Sequence, residues 1–530
     1  MKRLKNVIEG LLKPIIQAVT SRFSMVALMG ILLLTIVLPI KAAPPDTFTT
    51  PTFLESLNNG FAAVVKRLSE LFFFPIGGEN GFPLIVLWLI GAGVYFTLRL
   101  GFINFRAFRH AIAVVRGEYD NPDDHGEVSH FQALTTALSG TVGLGNIAGV
   151  AVAIQLGGPG AMFWLTLAGL LGMTTKLVEC TLGVKYRKVL ADGTVLGGPA
   201  YYLTRGFAAR GMGKIGRGLA ILFALTMVLA SLGGPNMFQS NQAYAAVATI
   251  VPGFPSWLFG ALLTVLAGVV ILGGIQRIGA VAEKLVPAMA LIYGVACLWI
   301  VLVNVAEIPT AIATIFREAF APTAVAGGFI GTMVQGIRRA TFSNEAGVGS
   351  AATAHSAVKT DEPVREGIVA LLEPFIDTVI ICNLTAIVLV ITRTYQNADP
   401  KLEGVALTSL AFQSVISWFP IVLSIAVFLF AFSTILSWSY YGVQAWGYLF
   451  GQRSLIVYKL IYLLFIFLGA ITSLTVVIDF SDMMFFAMAI PNLIGCYMLS
   501  NEVVRDLNDY WHRLKSGQMR KPAKQTVKQS

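Results

Sequence analysis

The 530-residue sequence predicts an all-α polytopic membrane protein: two inverted repeats of five transmembrane helices with discontinuous first and sixth core helices, plus one or two extra N-terminal helices. Three observations carry that prediction. Apolar residues make up 56% of the chain and charged residues only 12%, about half the charge of an ordinary soluble domain. Apolar runs long enough to cross a bilayer recur along the chain. The two runs that open each half are interrupted by glycines and polar side chains, a pattern that marks paired broken helices.

Residues 1–45 join a basic leader (Lys2, Arg3, Lys5, Lys13, Arg22) to an apolar run from Phe23 to Ile40, which ends at Ala42-Ala43-Pro44-Pro45. The stretch reads as a retained signal-anchor helix, with a cleaved signal peptide as the alternative. Residues 46–81 are polar enough to lie outside the membrane. Residues 82–130 hold an extra span, Phe82 to Leu100, and a basic segment with Arg106, Arg109 and Arg116. Within that segment, Ile103 to Val115 suits an amphipathic helix lying on the membrane surface.

Ten spans follow, at roughly 131–156, 160–184, 217–248, 255–274, 284–305, 326–350, 366–392, 419–447, 456–474 and 480–500. They divide into repeats over 131–305 and 326–500, before a basic tail at 501–530. Five is odd, so the second set enters from the opposite face, which is the condition for an inverted repeat. Alternation places Arg106, Lys185-Tyr186-Arg187-Lys188, Arg277, Arg338-Arg339, Arg453 and the tail on one side, and leaves Arg317, Arg393 and Lys401 on the other. By the positive-inside rule the basic side is cytoplasmic. This describes an integral protein of a bacterial-type inner membrane, both termini inside if the first apolar helix is retained. The excess of 38 Lys+Arg over 28 Asp+Glu therefore sets orientation and implies no nucleic-acid partner. Cys180, Cys297, Cys382 and Cys496 stand singly in apolar runs, without metal-ligand spacing, and read as small core residues.

The stretch Ser139 to Val152 carries Gly140, Gly143, Gly145 and Gly149 beside Ser139, Thr141 and Asn146. Each glycine inside a helix costs about 1 kcal/mol, so a segment that only crossed lipid would not accumulate four. Irregular backbone at membrane depth is tolerated where it lines a cavity or is buried in protein. The second half opens on Gly327 to Ala352, where Gly331, Gln335, Gly336, Arg338, Arg339, Ser343, Asn344, Glu345 and Gly347 crowd together. Close helix packing explains glycines alone, but not Asn146, Gln335 or the arginine pair. The two segments predict a secondary transporter with a site halfway across the membrane.

Four runs carry a family resemblance: S-G-T-V-G-L-G-N-I-A-G-V-A at 139–151, G-G-P-A-Y-Y-L at 197–203, F-S-N-E-A-G-V-G-S-A at 342–351 and S-T-I-L-S-W at 433–438. In this order they resemble the alanine or glycine:cation symporter family over residues 82–500. The resemblance implies sodium-coupled uptake of small neutral amino acids on the fold shared with the leucine transporter. Sodium would be the coupling ion and no other cofactor is expected. Proton coupling, or a channel, is the alternative.

A buried zwitterion needs donors for its carboxylate and acceptors for its ammonium. An unwound helix supplies both from its backbone. The carboxylate is assigned to Val142, Gly143 and Gly145 with help from Thr141, and the ammonium to carbonyls near Gln335 and Gly336. Thr141 has an alternative fate, bonding the carbonyl one turn back. Trp438 is expected to wall the pocket, or else to lie in the interfacial aromatic belt. Phe238 and Gln239, beside the Gly-Gly-Pro kink at Pro235, complete the wall. The resemblance implies two sodium sites, one of Thr141 and Asn146, the other of Ser433 and Thr434 with carbonyls near Ser139 and Val142. Hard oxygen ligands of this kind suit sodium.

Charges within spans are candidates for function. Lys176 and Glu179 are spaced to pair with each other. Glu373 and Asp377 repel unless a cation intervenes, and Arg338 or Arg339 is expected to supply it as an inner gate, with the sodium site as the alternative. Enzymes and pumps are excluded by what the sequence lacks. His110, His125, His130, His355 and His512 fall in or beside connecting segments, and no H-E-x-x-H, G-x-S-x-G or Walker A motif occurs.

Overall fold

Among the described residues, seven helices and one bent pair are long and apolar enough to cross a membrane, and two shorter apolar helices, Leu84–Arg99 and Ser256–Ile271, accompany them. In the computed structural model the described residues are 75–76, 82–121, 123–320, 328–397, 404–471 and 475–519. The predicted leader and apolar helix of residues 1–45, nearly all of 46–81 and the end of the tail lie outside them. Strand among the described residues is confined to two-residue ladders and one isolated bridge.

Helix α1 (Leu84–Arg99) is the extra span, and α2 (Phe108–Val115) is the short amphipathic helix after it. Helix α3 (His130–Thr141) begins at a capping box. Ser129 Oγ accepts the Gln132 N–H at 3.2 Å, and Gln132 Oε1 accepts the Ser129 N–H at 3.1 Å. Helix α4 (Ala148–Gly157) continues the span after a break, at an angle of 57°. Helix α5 (Ala161–Lys185) returns, and a short α6 (Pro199–Ala208) follows its hairpin. Helices α7 (Gly213–Leu232) and α8 (Gln239–Ile250) form one span through a π-helical turn, Gly233–Phe238, at the predicted proline kink. Helices α9 (Ser256–Ile271) and α10 (Gly274–Val303) close the first half.

Helix α11 (Ile308–Phe320) links the halves. The second half comprises α12 (Gly328–Asn344) and α13 (Ala351–His355), then α14 (Pro363–Ala370) leading through a π-helical turn into α15 (Asn383–Thr392). After these come α16 (Val405–Gln413), α17 (Phe419–Phe450), α18 (Leu455–Ile471) and α19 (Thr475–Lys515). Helices α6, α11 and α16 were not expected from the sequence. They are 9–13 residues long and bury only part of their surface, whereas a search for apolar runs finds helices that are apolar all round.

The outer surface is that of a protein solvated by lipid. Val265 on α9, Leu291 on α10 and Leu460 on α18 are each at least 60% exposed, a density of bare aliphatics that water would not tolerate. Polar and charged side chains are instead gathered inside. One end of the molecule carries Lys185, Arg187, Arg205, Arg210 and Arg513 and is called the basic face below.

Candidate functional site

The first break is two residues wide. Val142 (φ −73°, ψ 84°) ends α3, Gly143 is extended, and a single 3-10 turn, Leu144–Asn146, leads into α4. The groups set free there find side chains. Gly143 N–H donates to Asn146 Oδ1 at 2.9 Å, and Leu144 N–H to Gln239 Oε1 at 3.4 Å. Gly143 permits a close approach, since a Cβ there would meet Thr434 Oγ1 at 2.6 Å. A Cβ on Gly145 would lie 3.4 Å from Phe342 Cδ1 and 3.6 Å from Ser343 Cα, so the first break abuts the end of α12.

The second break lies within the interrupted segment Gly327 to Ala352, but not at Gln335 and Gly336, to which the ammonium is assigned from the sequence. Gln335 and Gly336 are inside α12, where backbone carbonyls are committed to the helix, and Gly336 is a packing glycine: a Cβ would meet the Ala161 carbonyl at 2.3 Å. The chain unwinds at Glu345–Gly349 instead, with Glu345, Gly347 and Gly349 at positive φ (55°, 90° and 91°). Glycine takes that conformation freely, whereas Glu345 is held in it by its side chain. Glu345 accepts the indole N–H of Trp438 at 3.1 Å and the hydroxyl of Ser350. Trp438 is thus a wholly buried wall residue, in ring contact with Phe485 at 5.0 Å, and not part of an interfacial belt. Phe342 joins this wall, 5.3 Å from Phe485 and 6.5 Å from Phe238.

Where α3 ends it is stitched to α17. Ser139 Oγ donates to the Ser433 carbonyl at 2.7 Å, and Ser437 Oγ lies 2.7 Å from the Thr136 carbonyl and 2.8 Å from Ser139 Oγ. Ser433 and Thr434 hydroxyls both reach the Phe430 carbonyl, at 2.9 and 3.0 Å. Thr141 bonds back to the Ala137 and Leu138 carbonyls, both at 3.3 Å, the ordinary fate of a membrane threonine.

The charged residues pair otherwise than expected. Lys176 reaches not Glu179 but Glu373, at 3.2 Å, while Glu179 accepts from Asn492. Glu373 also accepts from His355 Nε2 at 2.6 Å. Arg338 and Arg339 are within α12, ahead of the break, and Arg339 stacks over Phe342, while the cationic partner at Glu373 is Lys176. The i,i+3 and i,i+4 spacings could not show this, because every partner comes from another helix.

Asp377 has no cationic partner among the described residues. It is fully buried and surrounded by neutral donors: Asn146 Nδ2 at 2.6 Å on Oδ1, and Ser343 Oγ and Thr378 Oγ1 at 2.7 and 2.8 Å on Oδ2. Thr385 Oγ1 donates to the Asn146 carbonyl at 2.8 Å. Sequence reasoning named Ser343 in the second interrupted segment without giving it a role at the site, and missed Thr378. On the basic face Glu127, outside the membrane, accepts the Val195 N–H at 2.7 Å, and burial pushes its carboxyl above the usual range.

Two helices broken at mid-span, meeting around buried oxygens and carboxyl groups held by neutral donors, define a secondary transporter. The family model for sodium:alanine symporters matches residues 76–525, and this chain belongs to that family, one of transporters and not of enzymes. It is 41% identical over 428 residues to the sodium/alanine symporter AgcS of Methanococcus maripaludis, covering 80% of this chain and 93% of that one. The amino-acid carrier protein AlsT of Bacillus subtilis is 35% identical, with coverage of 81% and 90%. Among solved structures, MhsT in complex with L-phenylalanine shares the fold, with a TM-score of 0.53 at 15% identity, covering 75% of this chain and 96% of that one.

Proposed function

We propose that this chain couples inward sodium movement to uptake of a small neutral amino acid, alanine or glycine, by alternating access. The observation that carries the reading is the contact of the two broken ends, Gly145 against Phe342 and Ser343. The substrate carboxylate takes N–H groups of the first break at Gly143 and Gly145. Its ammonium takes carbonyls of the last turn of α12, at Phe342 and Ser343, which a helix end leaves without intrahelical partners. In this reading the rings of Phe238, Phe342, Trp438 and Phe485 wall the substrate's side chain and favour a small one.

Asp377 supplies the charge that one sodium ion needs, with oxygens of Asn146, Ser343 and Thr378 around it, and the ion relieves an otherwise costly buried anion. A second sodium takes the Ser433 and Thr434 hydroxyls with carbonyls of Ser139 and Val142, where α3 stops against α17. The basic face is cytoplasmic in this reading.

The test is counterflow of labelled alanine in proteoliposomes. Uptake that requires sodium, with no conversion of the amino acid, is expected. Uptake driven by a pH gradient in sodium-free buffer would replace sodium by protons, and current without amino acid would indicate a channel.

A further inference from the structure

We infer that the recess at the basic face between α10, α17 and α18 is a second binding site for an amino-acid zwitterion, where Glu127 and the Gln444 amide oxygen take its ammonium and Lys459 its carboxylate. That the zwitterion is the transported one rests on the transport reading above; the pattern of charges in the recess does not. The recess lies apart from both breaks, two to three turns further along α17. Tyr440 stands six residues past Thr434 and Gln444 ten, about 9 and 15 Å at the rise of an α-helix.

The recess has a volume of about 170 Å³, and Glu127, Thr194, Tyr440, Gln444 and Lys459 are among the residues that line it. Glu127 and Lys459 carry opposite charges, yet among the described residues no ion pair joins them to each other or to any third group. They belong to different elements, Glu127 to the chain entering α3 and Lys459 to α18, so packing sets the gap between them. Glu127 Oε1 accepts the Val195 N–H, which leaves Oε2 for another donor. Burial penalises this carboxylate and the nearby Asp192 adds to the penalty, so a cation brought against it is stabilised. Gln444 is 9% exposed. Its Nε2 donates to the Val195 carbonyl at 3.2 Å and to the Tyr440 hydroxyl at 2.9 Å, which fixes the amide, and its Oε1 is buried without a partner. Native structures leave few buried acceptors bare, and one at the wall of a recess calls for a donor.

These groups select the ligand by its charges. A phosphate or another plain anion would find Lys459 but meet Glu127, and a metal ion or a plain amine would find Glu127 but meet Lys459. A molecule with both charges on one carbon answers both, and its ammonium brings a further N–H for Gln444 Oε1. Ile271, Ile275 and Ile278 line the same recess with hydrocarbon, which suits an aliphatic side chain. Placed along α17 between the breaks and the basic face, the recess holds the amino acid after it leaves the breaks.

Equilibrium dialysis of the full chain against labelled alanine in sodium-free buffer tests the recess while the sodium-dependent site is empty. About one equivalent per chain is expected to bind, with a dissociation constant on the order of 1 mM. Propionate and ethylamine, each carrying one of the two charges, should displace it at least about tenfold less well than glycine does. Glu127→Gln and Lys459→Met should each weaken this binding more than about tenfold and leave the sodium-dependent binding within about twofold of wild type. Thr194→Cys places a thiol in the recess, the four native cysteines being buried. Alanine in sodium-free buffer should slow alkylation of that thiol at least about threefold, and should no longer do so once Lys459→Met is added. Absence of sodium-independent binding, displacement by ethylamine or propionate as strong as by glycine, or binding untouched by both charge variants overturns the inference. Sodium-dependent uptake by the same preparation reports on the transport reading alone.

Discussion

The first break, Val142–Asn146, is held by neutral groups: an asparagine and a glutamine side chain accept its free N–H groups, and Gly143 lets Thr434 close on the backbone. The second, Glu345–Gly349, is held by a carboxylate at positive φ, bound to an indole and a hydroxyl, with the Gly347 carbonyl taken by Asn492 at 2.8 Å. The free N–H groups of the first break rest on neutral amide side chains, which exchange partners at small net cost, whereas a buried carboxyl group that loses a donor costs more. The first break is accordingly the one suited to re-form around an arriving ligand, and the second is a fixed wall. Asp377 reaches both, since Asn146 belongs to the first and Ser343 to the turn before the second.

That contrast can be broken most severely at Asp377. Asp377→Asn keeps an acceptor for Asn146 but removes the charge, and sodium affinity should fall by about 100-fold, or about 2.7 kcal/mol. Titration with sodium by calorimetry reads it directly, and an unchanged affinity would remove Asp377 from the ion site. Next, Gly143→Ala and Gly336→Ala both force a Cβ into contact, on Thr434 and on the Ala161 carbonyl respectively. Overpacking costs about 1–3 kcal/mol in either place. Uptake kinetics should register it for Gly143→Ala and thermal melting for Gly336→Ala, and equal losses of uptake at equal stability would erase the distinction between a break and a packing glycine.

Trp438→Phe keeps the ring and deletes the N–H that reaches Glu345. A carboxylate left short of a donor should cost about 1–3 kcal/mol, seen as a lower melting temperature with the alanine KM nearly unchanged. A KM shift without loss of stability would mean that the second break is no fixed wall. The smallest effect is expected at Thr141. Its hydroxyl is committed to its own helix, so Thr141→Val should alter uptake by less than about threefold, on the scale of one neutral hydrogen bond or below.

The first break was legible because four glycines and an asparagine have no place in a plain lipid-facing helix, and the structure breaks the chain among them. The second was misplaced because Gln335 and Gly336 present the same residue types for a different reason: Gly336 lets α12 pack on α5. Residue type marks a close approach, but does not say whether the approaching group is a ligand or a neighbouring helix. The same limit misled the reading of Lys176 with Glu179 and of Arg338 with Asp377.

By itself the sequence determined the class: low charge and recurrent apolar runs force a bundle in lipid, and paired polar interruptions force broken helices within it. Those are properties of local composition, and local composition is enough to settle them. Which charges balance one another was decided only by the tertiary structure. Lys176 and Glu373 are 197 positions apart, His130 and Glu366 are 236 apart, and Asp377 finds Asn146 at a separation of 231. A buried charge is compensated by whatever folding brings within a few ångströms of it, and spacing along one helix does not encode that.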